Sequence, residues 1–149
     1  MKQVFSIFFC VALLAAVILP AYATEQNEVI HVEEITLEDG TIVKDEIVVT
    51  SNARSTDKTA TRKRTFTKDD TVIGIIAFKA TFRYDGSTVY VVSKSVTQTD
   101  TYDGYSYTQN SFTSSGGTVT LEGKLTKLLF ITTSFSMSLT CDKNGNLST

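Results

Sequence analysis

The chain has 149 residues, 42% apolar and 20% charged, with a formal net charge of −2, one histidine, one proline, two cysteines and no tryptophan. That length supports one domain with its own apolar core, since a chain of this size buries about two thirds of its surface on folding. A single histidine excludes a histidine-built zinc site, and the basic run Arg62, Lys63, Arg64 is too short and isolated for a nucleic-acid-binding surface, whose footprint is a strongly basic domain.

Residues 1–23 read as a secretory signal peptide. Lys2 supplies a positive start, "VFSIFFCVALLAAVIL" is an apolar run, and Pro20 precedes the small-x-small site Ala21, Tyr22, Ala23. The run of about 16 apolar residues is shorter than the roughly 20 that span a bilayer, so cleavage after Ala23 is expected rather than retention as an anchor. The remaining 24–149 contains no further span, no hydrophobic tail and no cell-wall sorting motif, and release to the outside is expected. Cys10 would leave with the signal and Cys141 would stay without an internal partner. A disulfide-stapled scaffold is thereby excluded, and stability must come from apolar packing.

Residues 24–50 form an acidic N-terminal hairpin or arm, with eight Asp and Glu against Lys44 alone; residues 51–149 carry twelve Lys and Arg against eight Asp and Glu. Such an arm can dock as a pro-segment or pair into the body as a hairpin turning near Asp39 and Gly40. Its run of Val and Ile, from Val29 to Val49, favours pairing, because so many apolar side chains are not left in water. Residues 24–149 are then expected to be one domain.

The body reads as strands, with β-branched and aromatic residues at period two between Asp-Gly, Gly-Gly and Asn-Gly turns. "KTATRKRTFT" (58–67) is polar at both parities and is expected at a sheet edge, where Lys and Arg discourage unwanted pairing. Residues 72–96 form the clearest hairpin. A two-residue turn at Asp85 and Gly86 sets Phe82 opposite Val89 and Ala80 opposite Val91. Phe78, Ala80, Phe82, Tyr84, Val89 and Val91 then share a core face, while Lys79, Thr81, Arg83, Thr88 and Lys94 face water. After the turn at 114–117, Val119, Leu121 and Leu125 alternate with polar residues, and Phe135, Met137, Leu139 and Cys141 alternate with Ser and Thr. The count is about seven to eight strands, which predicts an all-β antiparallel β-sandwich.

The signal peptide, the "F-x-Y-D-G" of residues 82–86 and the closing "L-T-C-x-x-N-G" of residues 139–145 resemble small secreted all-β proteins of Gram-positive bacteria without assigned activity. The resemblance implies fold and location and no catalytic set.

The residues that could carry chemistry are few. Asp142 and Asn144 start like a calcium loop, but the glycine falls at position 4 instead of 6 and the chain stops before a twelfth ligand. His31 has no nucleophile near it in sequence. The aspartates at 69, 70, 85, 100 and 103 fall at turns, where backbone geometry alone accounts for them. Neither a metal nor another cofactor is expected. Two surfaces remain. Tyr102, Tyr105 and Tyr107 with Gln109 and Asn110 have the ring-plus-amide chemistry of a glycan- or protein-binding surface. "KLLFI" (127–131) is apolar at both parities. It is expected to be buried, or else Leu128, Leu129 and Phe130 form an exposed apolar contact. The expected function is that of a secreted, non-catalytic module binding an extracellular protein or glycan. The alternatives are a small secreted hydrolase using turn carboxylates and a secreted membrane-active effector.

Overall fold

A computed structural model describes residues 26–51, 56–128 and 130–149; the expected signal peptide lies outside the described residues. These residues form two antiparallel sheets and no helix. The strands are β1 (Gln26–Thr36), β2 (Ile42–Ser51), β3 (Asp57–Lys68), β4 (Thr71–Tyr84), β5 (Val89–Thr101), β6 (Tyr105–Ser115), β7 (Thr118–Lys127), β8 (Ile131–Cys141) and β9 (Leu147–Ser148). Sheet A has the order β1-β2-β3-β4-β5 and sheet B the order β6-β7-β8-β9. There are thus eight long strands plus a two-residue ninth, each pairing with its predecessor except where β5 hands over to β6.

Alternation dictates the buried face. In β4 the even positions Ile76, Phe78, Ala80 and Phe82 are fully buried; in β7 and β8 the odd positions Val119, Leu121, Leu125, Met137, Leu139 and Cys141 are buried against them. Both sheets feed one apolar cluster, with the Phe66 and Phe135 rings 5.1 Å apart and Phe78 and Phe112 5.7 Å apart. Burying a Phe or Leu of this kind stabilises by about 1.5–3 kcal/mol. The opposite face of sheet B is lined by hydroxyls that bond across strands, Thr118 to Thr140 at 2.9 Å and Thr120 to Ser138 at 3.0 Å.

Three expectations are corrected. The 58–67 segment is not an edge: it lies in β3, the middle strand of sheet A, between β2 and β4. The cationic residues fit there because Arg62 and Arg64, on the inner parity, close on Asp45 of β2. Arg62 Nη2 donates to Asp45 Oδ2 at 2.8 Å and Arg64 Nε to Oδ1 at 2.8 Å, with a further bond from Arg64 Nη2. Asp45 and Arg62 are 4% and 5% exposed, and such charges are tolerated inside only when paired.

The β4–β5 loop has four residues rather than two, so Tyr84 faces Val89 and Phe82 faces Val91. Asp85 accounts for the longer loop: Oδ1 accepts the amides of Ser87 at 2.9 Å and Thr88 at 2.7 Å. The shift is by two residues, so the core face survives. Lys94 faces inward, because a register irregularity between Thr81 and Phe82 reverses the parity of β5 beyond it. Its ammonium donates to the Phe112 carbonyl at 2.6 Å and lies 4.7 Å from the Phe112 ring centre.

The acidic 24–50 segment supplies β1 and β2, and β2 pairs with β3 along its length.

Candidate functional site

The closing turn is structural chemistry. Asp142 Oδ1 accepts the amides of Asn144 and Asn146, each at 2.8 Å, and Oδ2 accepts Asn146 Nδ2 at 2.8 Å. These bonds, from the Asn146 side chain first and from the turn amides, hold the carboxyl below its usual pKa. Gly145 has φ +84°, and a Cβ there would lie 2.5 Å from the Tyr84 ring, so the turn seats on that ring only with glycine. Asp85 is spent in the same way: the amides of Thr88 and Ser87 lower its pKa. Among the described residues no group of three or more His, Cys, Asp or Glu side chains is placed to hold a metal ion. His31 Nε2 lies 3.4 Å from Glu33 Oε2 on β1.

Cys141 is 1% exposed, and burial raises its thiol pKa despite the opposing charge of Lys58. A thiol is reactive as thiolate, so this environment is that of an inert core sulfur.

The five residues of the tyrosine surface do not share one face. Tyr102 is 45% exposed at the β5–β6 turn, whereas Tyr105 is buried. Tyr107 is half-buried, with its ring stacked 6.2 Å from Phe135 over the bare backbone of Gly123. Burial raises the Tyr107 pKa. Gln109 and Asn110 are exposed, but Gln109 is four residues along β6 from Tyr105, about 13 Å at the rise of a strand. Tyr105 and Tyr107 offer no free ring for stacking.

The apolar segment is a different case. The expected burial of "KLLFI" does not hold: Leu128 is 74% and Phe130 91% exposed at the β7–β8 tip, and Ile131 is 42% exposed beside them. Leu129 lies outside the described residues. The physical reason is length. The pairing of β7 with β8 ends at Lys127 and Ile131, so Leu128 and Phe130 lie beyond the paired strands and stand in solvent. Leu128 has φ +52°, a left-handed conformation that costs an ordinary side chain about 1–2 kcal/mol. Leu128 thus combines a left-handed backbone with an exposed apolar side chain.

The base of the tip is built from charged turns. Asp69 and Asp70 take positive φ between β3 and β4, as do Asp103 and Gly104 between β5 and β6. Lys127 bonds Asp103 at 2.7 Å and lies 5.4 Å from the Tyr105 ring centre; the bond to Asp103 raises its pKa. A cleft of about 180 Å³ opens there, lined by Lys68, Asp69, Ile73, Asp103, Tyr105 and Ile131. Asp39 ties the same end across the sheets, accepting from Thr133 Oγ1 at 3.2 Å. Sequence patterning held this exposure only as the alternative to burial, because it measures hydrophobicity and not where pairing stops. The signal available was the run of five residues without alternation.

These features define an all-β protein of two antiparallel sheets with an exposed apolar hairpin tip at one end. No protein-family model, curated protein or solved structure matches the chain.

Proposed function

We propose that the protein is a secreted, non-catalytic β-sandwich that binds a partner protein through the β7–β8 tip. The signal-like pattern of residues 1–23 supports secretion. Packing of the two sheets as a sandwich is supported by the shared apolar cluster and by the Arg62 and Arg64 bonds to Ser138 and Ser136 carbonyls. The observation that carries the binding reading is the pair Leu128 and Phe130, nearly fully exposed on a strained tip. Apolar anchors that enter a partner's pocket, ringed by polar groups, are the usual energetic centre of a protein interface. A glycan is less well served, since stacking needs exposed rings and Tyr105 and Tyr107 are committed to packing. An anionic membrane is less well served too: Glu38, Asp39, Asp69, Asp70 and Asp103 stand at this end against Lys68 and Lys127, a balance that anionic lipid repels.

The test places a photo-reactive amino acid at position 130 and exposes the protein to surface proteins and spent medium of the producing cells. A discrete protein adduct that disappears in the Leu128→Asp variant is expected. Adducts confined to lipid would move the site to a membrane, and labelling unaffected by Leu128→Asp would remove the tip as a docking site.

A further inference from the structure

We propose that β1 is an acceptor edge for an extended segment of a partner protein that carries two adjacent basic residues, added as a sixth strand of sheet A. This surface is distinct from the tip and rests on different observations.

The sheet edges among the described residues are not alike. The β8 edge, paired with β9 only at Thr140 and Cys141, is sealed by side chains of sheet A: Arg62 donates to the Ser138 carbonyl and Arg64 to the Ser136 carbonyl at 3.0 Å. The β6 edge is sealed from β5, where Lys94 donates to the Phe112 carbonyl. The β5 edge itself carries that inward-pointing lysine and two register irregularities. Inward charges and bulges are devices that stop further strand pairing. β1 carries devices of the same kind, a bulge at Ile30 and Glu33 on the parity of Asp45, but its charge is acidic and the run beyond the bulge is regular. The strand is eleven residues long, β2 alone pairs with it among the described residues, and it contains no Lys, Arg or Pro. Its one irregularity leaves Ile30 without a partner in β2, and residues 31–36 then run in unbroken register. Val29, Val32 and Ile35 are 58%, 56% and 44% exposed, so the strand offers apolar flanks as well as backbone. A slot of about 360 Å³ lined by Glu28, Ile30, Val49, Lys58, Asn146 and Leu147 lies open against it.

Charge specifies the occupant. Glu33 and Glu34 are adjacent and point to opposite faces, Glu33 beside Asp45 and Glu34 beside Lys44. The protein already shows what an acidic pair of this kind takes. One strand inward, Asp45 and Glu46 of β2 face Arg64 and Lys63 of β3, with Lys63 bonded to Glu46 and Arg64 to Asp45. Asp45 is fully engaged by its two arginines, and Glu33 meets the imidazole of His31, 3.4 Å away, rather than a cation from the core. A strand beside β1 with a basic pair flanked by β-branched residues would repeat the β2–β3 arrangement one position out, and main-chain pairing of this type is a general mode of peptide recognition. A second copy of β1 fits poorly, because antiparallel self-pairing through residues 31–36 brings glutamates of both copies together.

The probe is an acetylated and amidated peptide, Thr-Val-Thr-Lys-Arg-Val-Thr-Val, titrated into the full chain at pH 7 and followed by amide hydrogen exchange. Saturable binding is expected, with new protection confined to residues 31–36. Replacing Lys-Arg in the peptide by Glu-Glu should abolish it. The Glu33→Lys/Glu34→Lys protein should bind the first peptide about tenfold more weakly or worse; both positions are exposed, so the fold is retained, which an unchanged melting temperature would verify. Absence of saturable binding, protection elsewhere, or equal affinity for the charge-reversed protein would overturn the proposal. A β1-mediated homodimer at neutral pH in sedimentation would overturn it as well.

Discussion

At the scale of single residues, the Asp45, Arg62 and Arg64 cluster is the most consequential polar feature. Removing the acid leaves a buried guanidinium without a counter-charge, which costs about 3–5 kcal/mol in comparable settings. Asp45→Asn is therefore expected to lower stability by that order in chemical denaturation, whereas Asp45→Leu combined with Arg62→Met should cost markedly less. The pairing was illegible in the sequence: Asp45 and Arg62 are seventeen positions apart, and nothing in "RKRTFT" distinguishes an arginine facing a carboxylate from one facing water. Cys141 was legible, because its parity with Phe135, Met137 and Leu139 suffices to place it inside, at 1% exposure. A thiol reagent should label it only after unfolding, and Cys141→Val should keep full stability while Cys141→Ser loses about 1–3 kcal/mol through an unsatisfied hydroxyl. Labelling of the native protein would contradict that placement.

At the scale of elements, hairpins that begin and end in alternating residues were readable, and those that depend on turn detail or on irregularity were not. The β7–β8 pair followed from odd-even patterning alone. The β4–β5 loop did not, because the carboxylate of Asp85 stabilises a longer turn than Asp-Gly by itself suggests. The strand β3 was misplaced for a related reason: cations discourage pairing at an edge, yet the same residues promote it when the neighbouring strand offers Asp45 and Glu46. The β8–β9 turn makes a direct prediction. Gly145→Ala places a Cβ against Tyr84 in a left-handed backbone, and a loss of about 1–3 kcal/mol is expected, read as a lower denaturation midpoint. The relieving change Tyr84→Ala should reduce the difference between glycine and alanine at 145, leaving the backbone component.

At the scale of the whole molecule, acid stability follows from the direction of the carboxylate shifts. For Asp45, burial raises the pKa, but hydrogen bonds from Arg64 and Arg62 outweigh it and the net shift is downward. A carboxyl depressed in the folded state contributes stability that is present above the unfolded pKa of about 3.9 and is lost as pH falls through the folded value. The melting temperature should therefore hold from neutrality down to about pH 4 and decline below it. That decline should be shallower in Asp45→Asn, which starts from a lower plateau. On the alkaline side the unfolded chain releases the Cys141 proton first, so stability should fall as pH rises past the ordinary thiol pKa of about 8.5.

The β7–β8 tip is proposed to be kept apolar for a partner and not for the fold. The most direct test is the melting temperature of the Leu128→Asn/Phe130→Ser double variant, measured beside photo-crosslinking from a reporter at position 131 in both proteins. An exposed tip relieved of left-handed strain should melt at or slightly above the wild-type temperature, by up to about 1 kcal/mol of added stability, while the protein adduct is lost. A fall of several degrees, the mark of lost core burial, or an undiminished adduct would contradict the account.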